Sequence, residues 1–191
     1  MTLCQEMRRT TQAEIDDMRA RGFDAETIRQ AEFSEKRTAV ADSLCDKVAE
    51  AFANVKLGDG VGLFEGQAID NYETAEVRQQ MRKKDEKEVW SQIESKHLNA
   101  CHSSLSFFDS LGMRFHLPAF IVADLKGDYG MGMEFTLTHL DDYNRKKFGL
   151  LSPQQRQVVR EYLQFLRQDP DSEFYYDDID RALNEYWKEL E

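Results

Sequence analysis

Proline and cysteine are both scarce in this chain, with 3 of each among 191 residues. No stretch rich in Pro, Gly and Ser is long enough to act as a flexible linker, so one domain is expected. The cysteines, Cys4, Cys45 and Cys101, are odd in number and form no CxxC pair. That excludes a disulfide framework and the strong zinc signatures. No apolar run approaches the ~20 residues that span a bilayer. The opening MTLCQEMRRTTQAEIDDM lacks the apolar core of a signal peptide, so a cytoplasmic location is expected. Positive charge is also short, at 25 basic against 36 acidic side chains, a formal net charge of -11. This weighs against general nucleic-acid binding, which relies on neutralising phosphate. The densest basic cluster, Arg145, Lys146 and Lys147, follows directly on Asp141 and Asp142.

What the chain does have is helical periodicity on a well-charged background, with 41% apolar and 32% charged residues. That composition belongs to a globular domain. The most apolar stretch is Phe107 to Lys126, FFDSLGMRFHLPAFIVADLK. Pro118 suits the first position of a helix, where its missing N–H costs nothing. The spacing therefore predicts a short buried helix over 118–126, capped by Gly127, with SLGMRFH as a turn and an extended lead-in.

Upstream, Met7, Ile15 and Met18 line a short helix stopped by Gly22. Asp24 then caps a second helix, with Phe23 and Ile28 at staple spacing. The 24–54 region reads as one bent helix or two, meeting near Phe33 and Ser34. Val40, Leu44, Cys45, Val48, Ala51, Phe52 and Val55 form its inner side. Four glycines, Gly58, Gly60, Gly62 and Gly66, interrupt the next segment. Their spacing is neither a Walker loop nor a dinucleotide fingerprint, and a surface loop over 56–72 is expected. A helix over 85–96, capped by Asp85, carries Val89, Trp90 and Ile93 inward. Glu134 to Leu137 reads as extended. Ser152, Pro153 and Gln155 announce a helix start, and Asp177 caps the last helix, whose stripe is Ile179, Leu183, Tyr186, Trp187 and Leu190.

The sum is an all-α or nearly all-α fold of six to eight helices, with at most a minor pair of strands. Residues 1–34 form an N-terminal helical extension, and 35–191 a single globular domain. Arg114, His116 and Asp124 frame the core helix. Asp124 on so buried an element lies either on its one exposed strip or against a partner, for which Arg114, Arg78 and Arg156 are candidates. An enzyme or small-ligand site would need Asp70, Arg114, His116 and Glu134 to converge. His97 and Cys101 lie four apart, and His116 folding back would complete a weak metal-site alternative. No cofactor is implied.

Several separated motifs resemble a family of uncharacterised bacterial proteins. They are Gly112 to Leu125 with its Leu117-Pro118-Ala119, Ile69-Asp70-Asn71-Tyr72, then Asp85 and Trp90. Downstream come Leu151-Ser152-Pro153-Gln154-Gln155 with Val158, Phe165 and Leu166, and Ala182-Leu183 with Tyr186-Trp187. The resemblance covers roughly residues 44–188. It implies no established activity, cofactor or catalytic residue. Some relatives look like small proteins of polymorphic-toxin neighbourhoods, where acidic immunity proteins are common.

The reading is therefore a non-catalytic interaction module with a basic protein partner, of which an immunity-like acidic inhibitor is one form. Its alternatives are the enzyme or ligand site above, and a homo-oligomer joined through the aromatic C-terminal helix with Tyr175, Tyr176 and Trp187.

Overall fold

A computed structural model describes residues 10–188, and no strand occurs among them. The chain is a single all-helical domain. Its helices are α1 (Gln12–Ala20), α2 (Ala25–Ala51), α3 (Leu63–Asp70), α4 (Ala75–Arg82), α5 (Ser95–Ala100), α6 (Ser110–Leu125), α7 (Glu134–Thr138), α8 (Asp142–Lys147), α9 (Pro153–Leu166) and α10 (Tyr176–Glu185). Short 3-10 turns lie at Trp90–Gln92, His102–Ser106 and Pro170–Tyr175. Cys4, Met7 and Leu190 fall outside the described residues. No helix among the described residues is long and apolar enough to cross a membrane.

Helix α6 is the centre, and it is longer than Pro118 suggests. Asp109 caps it by accepting from Gly112 N at 2.8 Å, and Pro118 sits in its interior. The stretch SLGMRFH is thus helical. Proline in mid-helix leaves the carbonyl four residues back without its donor, at a cost of roughly 3 kcal/mol. Burial offsets it: Met113, Phe115, Leu117, Phe120 and Ile121 are all at most 1% exposed. Each such side chain contributes about 1.5–3 kcal/mol of transfer free energy.

Helix α2 is continuous over 27 residues, about 40 Å, and runs unbroken past Phe33 and Ser34. Asp24 caps it through Glu26 N and Thr27 N. Its second half packs on α6 and α9 through Ala41, Leu44, Val48 and Phe52. Val40 departs from the expected face and is 50% exposed, and Cys45 is half-buried. The first half packs against α1, where Ile15 and Ala31 are buried outside the main core. Arg37 fastens α2 to the far end of α9. It pairs with Asp169, and its guanidinium lies 3.8 Å from the Phe165 ring centre.

Short elements account for the excess over the expected helix count. The glycine-containing segment folds as α3, because Gly66 lets the helix lie against Ser104, where a Cβ would come within 2.9 Å. Residues 85–96 do not form the expected helix. Trp90 instead turns inward on its 3-10 turn and donates its indole N–H to Phe52 O at 2.9 Å. Glu134 to Thr138 is helical rather than extended. Helix α9 starts on the predicted capping box of Ser152 and Gln155. Helix α10 starts at Tyr176, so Asp177 lies in its first turn rather than at its cap. Trp187 closes the core, 1% exposed, donating to Leu137 O at 2.8 Å.

Candidate functional site

The four residues of the expected site do not meet. Asp70, at the end of α3, accepts from Gln67 Nε2 at 3.3 Å. Arg114 and His116 are two positions apart on α6, about 200° around its axis. The Arg114 Nε is buried with no hydrogen-bond partner. Glu134 begins α7 and accepts from Ser172 Oγ at 2.8 Å. No hydrogen bond or ion pair joins any two of these four among the described residues. The Arg114–Asp124 pair fails for the same reason that the helix is longer than expected. Ten residues on one helix separate them by about 15 Å.

Two polar clusters, the first buried and the second partly buried, take their place. The first surrounds the start of α6. Asp85, 7% exposed, accepts from Phe64 N at 2.7 Å and, weakly, from Glu65 N at 3.4 Å. It caps α3 from another part of the chain, because the residue at the cap position, Gly62, has no side chain. Burial pushes the Asp85 carboxyl up to about 6, against the pull of those two amides. Arg82 reaches Glu65 at 3.5 Å and Gly58 O at 2.7 Å. His116 is stacked on Phe108, with ring centres 4.4 Å apart. Its Nδ1 lies 2.7 Å from Gly112 O. A carbonyl only accepts, so Nδ1 carries a proton, and with the pKa lowered by burial the ring is neutral at pH 7. Burial holds its pKa down at about 4. A neutral imidazole committed to a carbonyl and an aspartate committed to a helix end are architectural groups.

The second cluster lies around Asp124, where α6, α7 and α9 meet the turn at Pro170–Tyr175. Tyr162 donates its hydroxyl to Asp124 Oδ2. Tyr129 is nearby, and Glu134, Asp169 and Arg37 complete the charged surroundings. Burial raises the Asp124 carboxyl to about 7, helped by the like charges of Glu134 and Asp169.

The metal alternative is not assembled. No group of three or more His, Cys, Asp or Glu among the described residues is placed to hold an ion. His97 lies edge-on to Phe64, Cys101 is buried, and His116 is stacked in the core. The basic cluster is dispersed too. Lys147 is 5% exposed and donates to Leu105 O at 3.2 Å and Ser106 O at 2.8 Å. Arg145 donates to Leu140 O at 2.7 Å.

The surface carries what the periodicity could not place. Tyr72 is 93% exposed and Phe174 87%. Tyr72 follows the C-cap of α3 with φ +57°. Tyr72 N bonds Ile69 O and Glu73 N bonds Ala68 O, the paired bonds that usually end a helix on glycine. Phe174 projects from the turn before α10 with Asp171, Glu173 and Asp177 around it in sequence. In that region Arg37, Arg167 and Arg181 pair with Asp169, Asp180 and Asp178. Asp171 and Glu173 have no ion-pair partner among the described residues. The run DPDSEFYYDDID signalled this surface, but periodicity gave no direction for its rings.

A family model, Family of unknown function (DUF6714), matches residues 40–191. The chain belongs to this family. The DUF6714 region starts within α2, so it contains the main core, Tyr72, Phe174 and both polar clusters except Arg37. Helix α1 and the first half of α2 precede it. No curated protein matches the chain, and no solved structure does.

Proposed function

We propose that this DUF6714 protein is a non-catalytic interaction module that binds a basic protein, in the manner of an acidic immunity-like inhibitor. The observation that carries the reading is the pair of bare aromatic side chains, Tyr72 and Phe174, each flanked in sequence by carboxylates. Around Tyr72 these are Asp70, Glu73 and Glu76. Aromatic anchors rimmed by charge are the anatomy of a protein-binding surface. The net charge of -11 favours capture of a cationic partner. Tyr72 adds a second support. A left-handed backbone costs a non-glycine residue about 1 kcal/mol or more. An almost wholly exposed ring returns nothing to the fold for that strain.

Replacement of Tyr72 by glycine separates the two roles. Tyr72→Gly is expected to raise stability by about 1 kcal/mol in chemical denaturation. The same variant, combined with Phe174→Ala, is expected to lose a partner retained by the wild type. Affinity capture from the native cell extract at low and high salt, with wild type and double variant side by side, tests this. Support is a stoichiometric basic protein, released by salt and absent from the variant. The reading is wrong if nothing basic is retained, or if the double variant retains it equally.

A further inference from the structure

An open cleft of about 320 Å³ lies between α2, the Trp90–Gln92 turn, α5 and the second half of α6. Its lining shares no residue with either polar cluster and does not include Tyr72 or Phe174. Its floor is apolar, formed by Trp90, Ile93, Leu98, Ala119, Val122 and Ala123. Small side chains make the space: Ala119 and Ala123 are one turn apart on α6, and Ala49 is on the facing wall of α2. The volume is at the lower end of small-molecule pockets, ~300–1,000 Å³.

The cleft is held in shape before any ligand arrives. The indole N–H bond to Phe52 O fixes the Trp90 ring. On the other side, Asn99 donates to Asp128 O at 2.7 Å and accepts from Gly130 N at 2.9 Å, which fixes the turn carrying Asp128. Pre-formed walls lower the ordering cost of binding. Cys45, Ser91 and Ser95 add to the lining, and its charged residues are Asp46, Lys126 and Asp128, none of which makes an ion pair among the described residues. Two carboxylates against one ammonium leave the mouth net negative.

We propose that this cleft binds a small organic monocation, an apolar body carrying one protonated amine. The body lies on the Trp90–Val122 floor, and the ammonium meets Asp46 and Asp128. Lys126 opposes a second positive charge, which selects monoamines over diamines. The charge complement excludes simple carboxylic acids of the same shape. This site goes beyond the protein-binding reading and does not depend on it.

The probe is 2-phenylethylamine, titrated into the whole protein by tryptophan fluorescence and calorimetry. Trp90 lies at the site, whereas Trp187, the other tryptophan, is sealed in the core. Saturable binding is expected, weakened at least tenfold for 3-phenylpropanoate, which has a matching body and the opposite charge. Ala49→Leu fills the cleft from the exposed face of α2 and is expected to weaken binding at least tenfold. Asp46→Asn, another exposed position, is expected to weaken the amine and narrow its margin over the acid. Absence of saturable binding overturns the proposal. So does equal affinity for the carboxylate, or an affinity that neither variant changes. If Ala49→Leu instead alters the sedimenting mass of the protein, the cleft is a contact between copies and the proposal also fails.

Discussion

Asp124→Asn is expected to stabilise the protein strongly at pH 8 and to leave it almost unchanged near pH 4. Asp124 titrates at about 7 in the fold, chiefly because it is buried. In the unfolded chain it titrates near ~3.9. A carboxyl raised by folding is best accommodated protonated. Its stabilising contribution is therefore complete below about pH 4 and is lost as pH rises to 7. Three pH units correspond to at most about 4 kcal/mol. The groups that face it divide by sign: Glu134 and Asp169 disfavour its charge, while Arg37 and the Tyr162 hydroxyl favour it. Asparagine keeps an acceptor for Tyr162 and removes the charge. Asp85, raised to about 6, acts in the same direction, and His116, lowered to about 4, acts oppositely. Between pH 6.5 and 7 Asp124 is left to act with little opposition. Urea denaturation of wild type and variant at pH 4.5 and 8 measures the difference directly. An equal gain at both pH values means that Asp124 is not the titrating group.

The elements read correctly from sequence were those whose ends carry their own chemistry. Ser152, Pro153 and Gln155 define the start of α9 by local hydrogen bonds, and the structure places them there. Asp24 does the same for α2. Errors arose where tertiary contacts outweighed local preference. Pro118 marks a helix start by its own geometry, yet the apolar ring of α6 side chains keeps the helix intact through it. Gly66 marks a loop, yet its missing side chain is what lets α3 rest against Ser104. Residues 85–96 have helical spacing, but Trp90 is drawn inward to the Phe52 carbonyl.

The candidate sites were less legible than the fold, for a related reason. Asp70, Arg114, His116 and Glu134 share only that they flank glycines or the core helix in sequence. Flanking in sequence says nothing about direction once α6 extends back to Ser110. Tyr162, by contrast, reads as one more apolar position in α9, and only the fold brings its hydroxyl to Asp124. Lys147 belongs to a visibly basic run, but its ammonium ends on the carbonyls of the His102–Ser106 turn.

Gly62→Ala is expected to destabilise the protein by about 2–3 kcal/mol, although it adds a single methyl group. Gly62 has an ordinary extended backbone, so conformational strain is not the cause. The added Cβ would overlap the Asp85 carboxylate. Asp85 would then leave the amides of Phe64 and Glu65, and a buried helix end without acceptors costs about 1–3 kcal/mol. Helix α4 and the His102–Ser106 turn both pack on α3, so the loss would spread to them. Asp85→Ala should cost a similar amount by removing the same cap, less the relief of burying no carboxyl. The double variant decides between mechanisms. If Gly62 matters only as room for Asp85, Gly62→Ala adds little once Asp85 is gone, because the two changes delete one interaction. Denaturant midpoints for the two single variants and the pair give the coupling. Full additivity would mean that Gly62 serves the fold in some way independent of Asp85.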